Sequence, residues 1–189
     1  MNVIFLDFDG VLDSSNSILQ PLEDDGAKER RVKILGEICK KYDCKVVIES
    51  TYKELINEET LETDIDWIQN YFNLFKKYEI EVIGRTPLVE SNLSHTTIDK
   101  GAEIFAYLEM HPEIEHFCVI DDDDLVPISA MEKGDYSKSD LNPVRDHLIT
   151  TINYSEVDPN ETGLQEKHIE EVGKILQKEN NISKRSIRL

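Results

Sequence analysis

The chain has little of what builds several common classes of site. Its three cysteines, Cys39, Cys44 and Cys118, are odd in number and show no C-x-x-C spacing. They read as packed, reduced thiols of a cytoplasmic protein rather than as zinc ligands or disulfides. No apolar run approaches the length of a membrane span, and an acidic residue arrives at Asp7, too early for a signal peptide. The four Asn-x-Ser/Thr triplets, at Asn92, Asn153, Asn160 and Asn181, therefore read as chance matches. No P-loop, G-x-G-x-x-G or G-x-S-x-G occurs, which excludes ordinary ATP binding, dinucleotide binding and serine-hydrolase chemistry. The five histidines (His95, His111, His116, His147, His168) lack ligand spacing and read as surface or packing residues. Basic residues are also scarce: 21 Lys and Arg against 39 Asp and Glu leave a net charge of −18. Such a field repels nucleic acid and anionic membranes at long range, so nucleic acid enters only as a substrate and a membrane not at all.

What is present is acidic and well placed. Val3 to Leu6 form a short continuous apolar run, the signature of a strand buried on both faces of a parallel sheet. Asp7 follows, then Asp9 and Gly10. A strand persisting through Asp9 points both carboxylates to one side, and Gly10 lets the backbone turn away. Alone, D-x-D-G is more often a solvated acidic turn than a site. An EF-hand is excluded, because no further acidic ligand follows at loop spacing. The balance changes because a second buried strand, His116 to Ile120, runs into Asp121, Asp122, Asp123 and Asp124. Close carboxylates repel, and a divalent cation is the usual remedy.

Between these tips the chain alternates strand and helix. The periodicity predicts helices over Arg30–Tyr42, Asp64–Lys77, from near Asp99, and over Leu164–Gln177, and further strands over Cys44–Ile48, Ile80–Ile83 and His147–Ile152. The second helix carries Trp67, Ile68, Tyr71, Phe72 and Phe75 at helical spacing, a stripe read as core. Residues 13–29 are polar with Pro21 and Gly26, and read as a surface loop or small flap. With no repeat or linker, residues 1–178 form one domain, an α/β three-layer fold around a parallel sheet of about five strands, and residues 179–189 a polar basic tail.

Three strands end in residues of complementary type: Asp7 and Asp9; Ser50 and Thr51 after CKVVIE; and the Asp121–Asp124 cluster. Lys100 opens the helix leading into the fourth strand. Carboxylates, a hydroxyl, a lysine and Mg²⁺ suit phosphoryl transfer, which needs a nucleophile, neutralised charge and in-line positioning. Taken singly, Ser50 or Thr51 also reads as a helix N-cap and Lys100 as a solvated helical residue. Asp123 and Asp124 read as an acidic loop. Arg85, at the end of the third strand, either meets a substrate phosphate or pairs with surface acids, and the second is favoured.

In this order the motifs resemble the haloacid dehalogenase (HAD) superfamily of phosphatases and phosphotransferases. FLDFDGVL resembles its first motif, the hydroxyl after VVIE its second, Lys100 its third and VIDDDD its fourth. More narrowly, IFLDFDGVL, VVIESTYK, IGRTP, KGAEIFAYLEMHPEIEHFCVIDDDD and TGL are similar to the HAD domain of Swiss-army-knife RNA repair proteins. The chain departs from that group at Tyr52-Lys53 and Lys100, where Trp-Arg and Arg are expected. The resemblance implies a Rossmann-like core and a Mg²⁺-dependent phosphatase. Asp7 would attack phosphorus and Asp9 would serve as general acid and base. Mg²⁺ would be held by Asp7, the Asp9 backbone carbonyl and Asp121 or Asp122. Ser50, with Thr51 as fallback, and Lys100 would bind the phosphoryl group. Superfamily caps are inserted after the first or third motif, and neither gap has room for a large one. The implied site is therefore open, as suits large substrates such as phosphoprotein or nucleic-acid ends. A silent binding module of the same fold is the alternative, opposed by the intact Asp7, Asp9 and Lys100. Dehalogenation is disfavoured because it has no need of Asp9.

Overall fold

Val3, Ile4, Phe5 and Leu6 are completely buried and form the central strand of a five-stranded, all-parallel sheet in the computed structural model. The structure describes residues 1–14, 25–88, 100–125, 144–155 and 161–178. In chain order these give β1 (Asn2–Leu6), α1 (Asp25–Tyr42), β2 (Cys44–Ile48), a 3₁₀ turn (Thr51–Leu55), α2 (Asp66–Lys77), β3 (Val82–Arg85), α3 (Lys100–Met110), β4 (His116–Asp121), a second 3₁₀ turn (Arg145–His147), β5 (Leu148–Thr150) and α4 (Lys167–Ile175).

The strand order is β3-β2-β1-β4-β5. The chain winds one way from β1 to β3 and then returns to the other side of β1 with β4. The boundary between β1 and β4 is thus the switch point of the sheet, where open α/β folds leave a crevice at the carboxyl ends of their strands. Register aligns those ends, since Leu6 pairs with Ile48 on one side and with Ile120 on the other. Whatever follows each of the three residues is delivered to one edge.

Alternation along β1 sorts the core into two layers. Ile4 and Leu6 face α1, α2 and α4, meeting Val32, Leu35, Ile38, Ile68, Phe75 and Val172. Val3 and Phe5 face α3, meeting Ile104, Tyr107 and Leu108, with Phe117 edge-on to Phe5 at 6.0 Å. The result is the expected three-layer α/β/α arrangement. Among the described residues no large cap is evident: one helix, α3, fills the interval from Lys100 to β4. No helix among the described residues is long and apolar enough to cross a membrane.

Several boundaries differ from the sequence expectation. Helix α1 begins at Asp25, so part of the segment read as loop is helical; Ala27, Lys28 and Glu29 are good helix formers. The remainder of that segment, residues 15–24, lies outside the described residues, as do residues 89–99, 126–143, 156–160 and the 179–189 tail. Helix α2 starts two residues later than expected, because the Thr63 hydroxyl accepts from the Ile65 amide at 3.2 Å and holds a turn there. Strand β3 is displaced from Ile80–Ile83 to Val82–Arg85. Ile80 instead closes α2, its amide donating to the Phe75 carbonyl at 2.9 Å, and a register shift between Val46 and Val47 brings Ile48 opposite Arg85. Strand β5 is shorter than expected, because His147 belongs to the preceding 3₁₀ turn, its ring stacked on Phe117. Helix α4 starts late because Leu164 is used elsewhere: its amide donates to the Val11 carbonyl at 2.8 Å.

That last bond belongs to a clip under the loop after β1. Arg31 of α1 is buried and donates to the Leu12 carbonyl and to the hydroxyls of Ser14 and Thr162. Gly163 adopts φ +68°, and a Cβ there would stand 2.7 Å from the Val11 carbonyl. The TGL triplet therefore fixes the loop that carries Asp9 and Gly10.

Candidate active site

Asp7 is the first residue past β1, and its amide still extends the ladder, donating to the Ile120 carbonyl at 3.1 Å. Its carboxylate is almost fully buried and doubly engaged. Oδ1 accepts from the Phe8 amide at 2.7 Å and Oδ2 from Lys100 Nζ at 2.6 Å. The same ammonium donates to Asp121 Oδ2 at 2.7 Å. A residue at the first position of α3 thus ties together the ends of two adjacent strands. Burial disfavours charge on Lys100, yet the Asp7 and Asp121 carboxylates outweigh it and hold its pKa above the ordinary lysine value.

The strand does not persist to Asp9, which corrects the expected pleat geometry. After Asp7 the chain coils, and the amides of Val11, Leu12 and Asp13 all donate to the Phe8 carbonyl. Asp9 leaves this coil exposed, with the Tyr52 hydroxyl close to its carboxylate. Partial desolvation raises the Asp9 pKa, the neighbouring Tyr52 hydroxyl opposes that, and the Asp7 charge adds to the rise. Gly10 follows at φ +69°, and a Cβ there would lie 2.2 Å from Asp122 Cγ. Only a residue without a side chain lets the two acidic tips approach this closely.

Asp121 is wholly buried, and Asp122 is partly buried with its Oδ2 accepting from Asn153 Nδ2 at 2.8 Å. Burial pushes the Asp121 carboxyl up to about 7, reinforced by the Asp7 charge and opposed by Lys100. Burial and Asp7 likewise raise Asp122. One carboxylate oxygen from each of Asp7, Asp121 and Asp122 lies within 4.8 Å of the others. Three hard oxygen donors fit Mg²⁺ in residue type, and both sequence candidates from the fourth strand are in the cluster. The Asp9 side chain is not; its expected share was the backbone carbonyl. Asp123 and Asp124 are exposed, as an acidic loop would be.

Ser50 follows the end of β2, buried, with Oγ accepting from the Tyr52 amide at 3.4 Å. It therefore caps the 3₁₀ turn, while its own hydroxyl hydrogen remains to be donated. Thr51 is exposed. Glu49 turns away from Ser50. Its Oε1 accepts from Lys53 Nζ at 3.0 Å, its other oxygen accepts from the Thr86 hydroxyl, and Lys53 also donates to Glu103 Oε2 at 2.5 Å. All three charged groups are buried. Burial pushes the Glu49 carboxyl up to about 8, against the pull of Lys53 and with the repulsion of Glu103. Arg85 pairs with Glu58 at 3.2 Å, the surface-acid role.

Four contributors are not assigned from the sequence. The Glu49–Lys53 pair has i, i+4 spacing, a signal that was available. Glu103 lies on another helix, and nothing local links it to them. Tyr52 was noted only as a departure from the related pattern, and Asn153 only within a triplet.

No curated protein and no solved structure matches the chain. A family match covers the sheet, both acidic tips, the Ser50 turn, Lys100 and the TGL clip. By this match over residues 3–169, the chain belongs to the family described as the HAD domain in Swiss Army Knife RNA repair proteins.

Proposed function

We propose that the chain is a Mg²⁺-dependent phosphate-monoester hydrolase working through an aspartyl-phosphate. Membership of the HAD family supports a phosphatase-type function in general. The observation that carries the finer reading is Lys100 bridging Asp7 and Asp121 with Asp122 alongside.

Asp7, Asp121 and Asp122, with the Asp9 main-chain carbonyl, are the residues that would hold Mg²⁺, which when bound neutralises phosphoryl charge. A carboxylate oxygen of Asp7 attacks phosphorus, and the ester P–O bond breaks with its electron pair going to the leaving oxygen. Asp9 donates the proton that makes that oxygen an alcohol. Water then attacks the phosphorus of the aspartyl-phosphate, Asp9 takes the water's proton, and Asp7 is released with inorganic phosphate. The raised pKa of Asp9 suits the donor half of this cycle, and the Tyr52 hydroxyl supports the charged form needed for the second half. Lys100 balances charge on the phosphoryl oxygens, and Ser50 donates its hydroxyl hydrogen to one of them.

Hydrolysis of an aryl phosphate is the test. It is expected to require Mg²⁺ and to stop with EDTA. Asp9→Asn keeps the shape and loses the proton, so turnover is expected to fall about a hundredfold or more, the scale of general acid–base help. Activity that survives chelation removes the metal from the reading, and an unchanged rate in Asp9→Asn makes Asp9 structural.

A further inference from the structure

The stripe of α2 read as core does not wholly enter it. Ile68, Tyr71 and Phe75 are buried, but Trp67 is 39% exposed. A single exposed aromatic needs no explanation by itself. Its neighbours supply one. The Trp67 ring stands 4.7 Å from that of Tyr52 at an interplanar angle of 81°, and 6.3 Å from that of Tyr71 at 85°. Tyr71 is held from behind, stacked on Phe8 at 4.9 Å and donating to Asp13 Oδ2 at 3.2 Å. The Tyr52 hydroxyl lies beside Asp9, and each shifts the other's titration. An exposed indole, a half-buried phenol and the proposed general acid therefore form one continuous surface.

The side of the site is set by chemistry. A general acid must reach the leaving oxygen, so groups that touch Asp9 flank the alcohol portion of the ester and not its phosphoryl portion. Two rings nearly perpendicular to each other make a corner in which a flat ring stacks on one and meets the edge of the other. The charges point the same way. Lys28, seated 4.7 Å over the Tyr71 ring, is already paired with Asp13 at 3.0 Å. With Asp9 and Asp13 nearby, this flank suits an uncharged ring and opposes a second phosphate.

We propose that Tyr52 and Trp67 form a leaving-group subsite for phosphate monoesters whose alcohol carries a flat aromatic ring. The proposal rests on the phosphatase reading. Aryl phosphates, with the ring next to phosphorus, and nucleoside monophosphates, with the ring a sugar away, share this chemistry.

The test compares phenyl phosphate, adenosine 5′-monophosphate and glycerol 1-phosphate in wild type, Trp67→Ala and Trp67→Phe, with Mg²⁺ present. In Trp67→Ala the ratio of kcat/KM for an aromatic ester to that for glycerol phosphate is expected to fall about tenfold, the scale of one lost ring stack. Trp67→Phe keeps a ring and is expected to recover most of the ratio. A loss with either aromatic ester supports the site, and which ester shows it gives the ring's distance from phosphorus. Trp67 is the chain's single tryptophan, so it also reports binding directly. In the Asp7→Asn protein, adenosine monophosphate is expected to quench its fluorescence saturably while glycerol phosphate does not. Equal losses for all three esters, or no preferential quenching, overturn the subsite and leave the phosphatase reading standing. Failure to hydrolyse any ester overturns both.

Discussion

Asp7→Asn is expected to lower phosphatase turnover by about a thousandfold or more while leaving the fold intact. The size follows from the role: a nucleophile in an interlocking set cannot be replaced by its neighbours, and removing it removes the pathway. The intact fold follows from the geometry. An asparagine in the same rotamer keeps an oxygen for the Phe8 amide, and the strand ladder through the Asp7 amide does not involve the side chain. What is lost is the charge facing Lys100 at 2.6 Å, where an amide NH₂ now meets an ammonium. Lys100 still has Asp121, so the cost is local. Turnover by stopped assays, with circular dichroism and a melting curve as controls, checks this. A variant that retains activity within tenfold of wild type shows that Asp7 is not the nucleophile.

The second large effect concerns stability. Lys53→Met is expected to cost about 3–5 kcal/mol, because it strands Glu49 and Glu103 in the interior without their shared cation. For a chain of this length that is a drop in melting temperature on the order of 10 °C. The pH dependence gives the prediction its sign. Glu49, with its folded pKa pushed up to about 8, binds its proton more tightly folded than unfolded. Its contribution is therefore fully present below the unfolded value of 4.5 and is lost as pH rises through about 8. Wild-type stability should slope downward across that window, and Glu49→Gln should flatten the slope. The Lys53→Met deficit should be smallest at pH 5 and grow toward pH 8, since buried carboxyls without a cation are relieved only by protonation. Denaturant titrations at several pH values measure it. A Lys53→Met protein within about 1 kcal/mol of wild type at pH 8 contradicts the buried network.

That network also shows where sequence stops being informative. The elements that bury continuous apolar runs were legible almost to the residue: β2 was expected and found at Cys44–Ile48. Their order fixed the three-layer arrangement and brought Asp7 and Asp121 to one edge. Errors arose where burial was partial. Edge strand β3 pairs on one side only, and its apolar pattern is blurred by Ile80, which packs inward before the strand begins. Trp67 has the spacing of a core residue, but it lies on the flank of the buried stripe, and periodicity does not resolve a flank from a face. Asp9 was misjudged in geometry, because the coil around the Phe8 carbonyl depends on the TGL clip far along the chain. The Ser50 alternatives, cap or phosphate donor, turn out to be compatible, since one role uses an oxygen lone pair and the other the hydrogen. The Glu103 contribution had no local signal, because its partners come from a distant turn.

The central claim is that the carboxylate of Asp7 is the atom group that takes the phosphoryl group, facing Lys100 and the Asp121–Asp122 tip. Beryllofluoride mimics a phosphoryl group bonded to a carboxylate, so a crystal grown with Mg²⁺ and beryllofluoride tests the claim most directly. The account predicts beryllium density continuous with an Asp7 Oδ atom, fluorines toward Lys100 and Ser50, and Mg²⁺ against Asp7, Asp121 and Asp122. Density bonded to another carboxylate, or an unmodified Asp7 at saturating beryllofluoride, contradicts it.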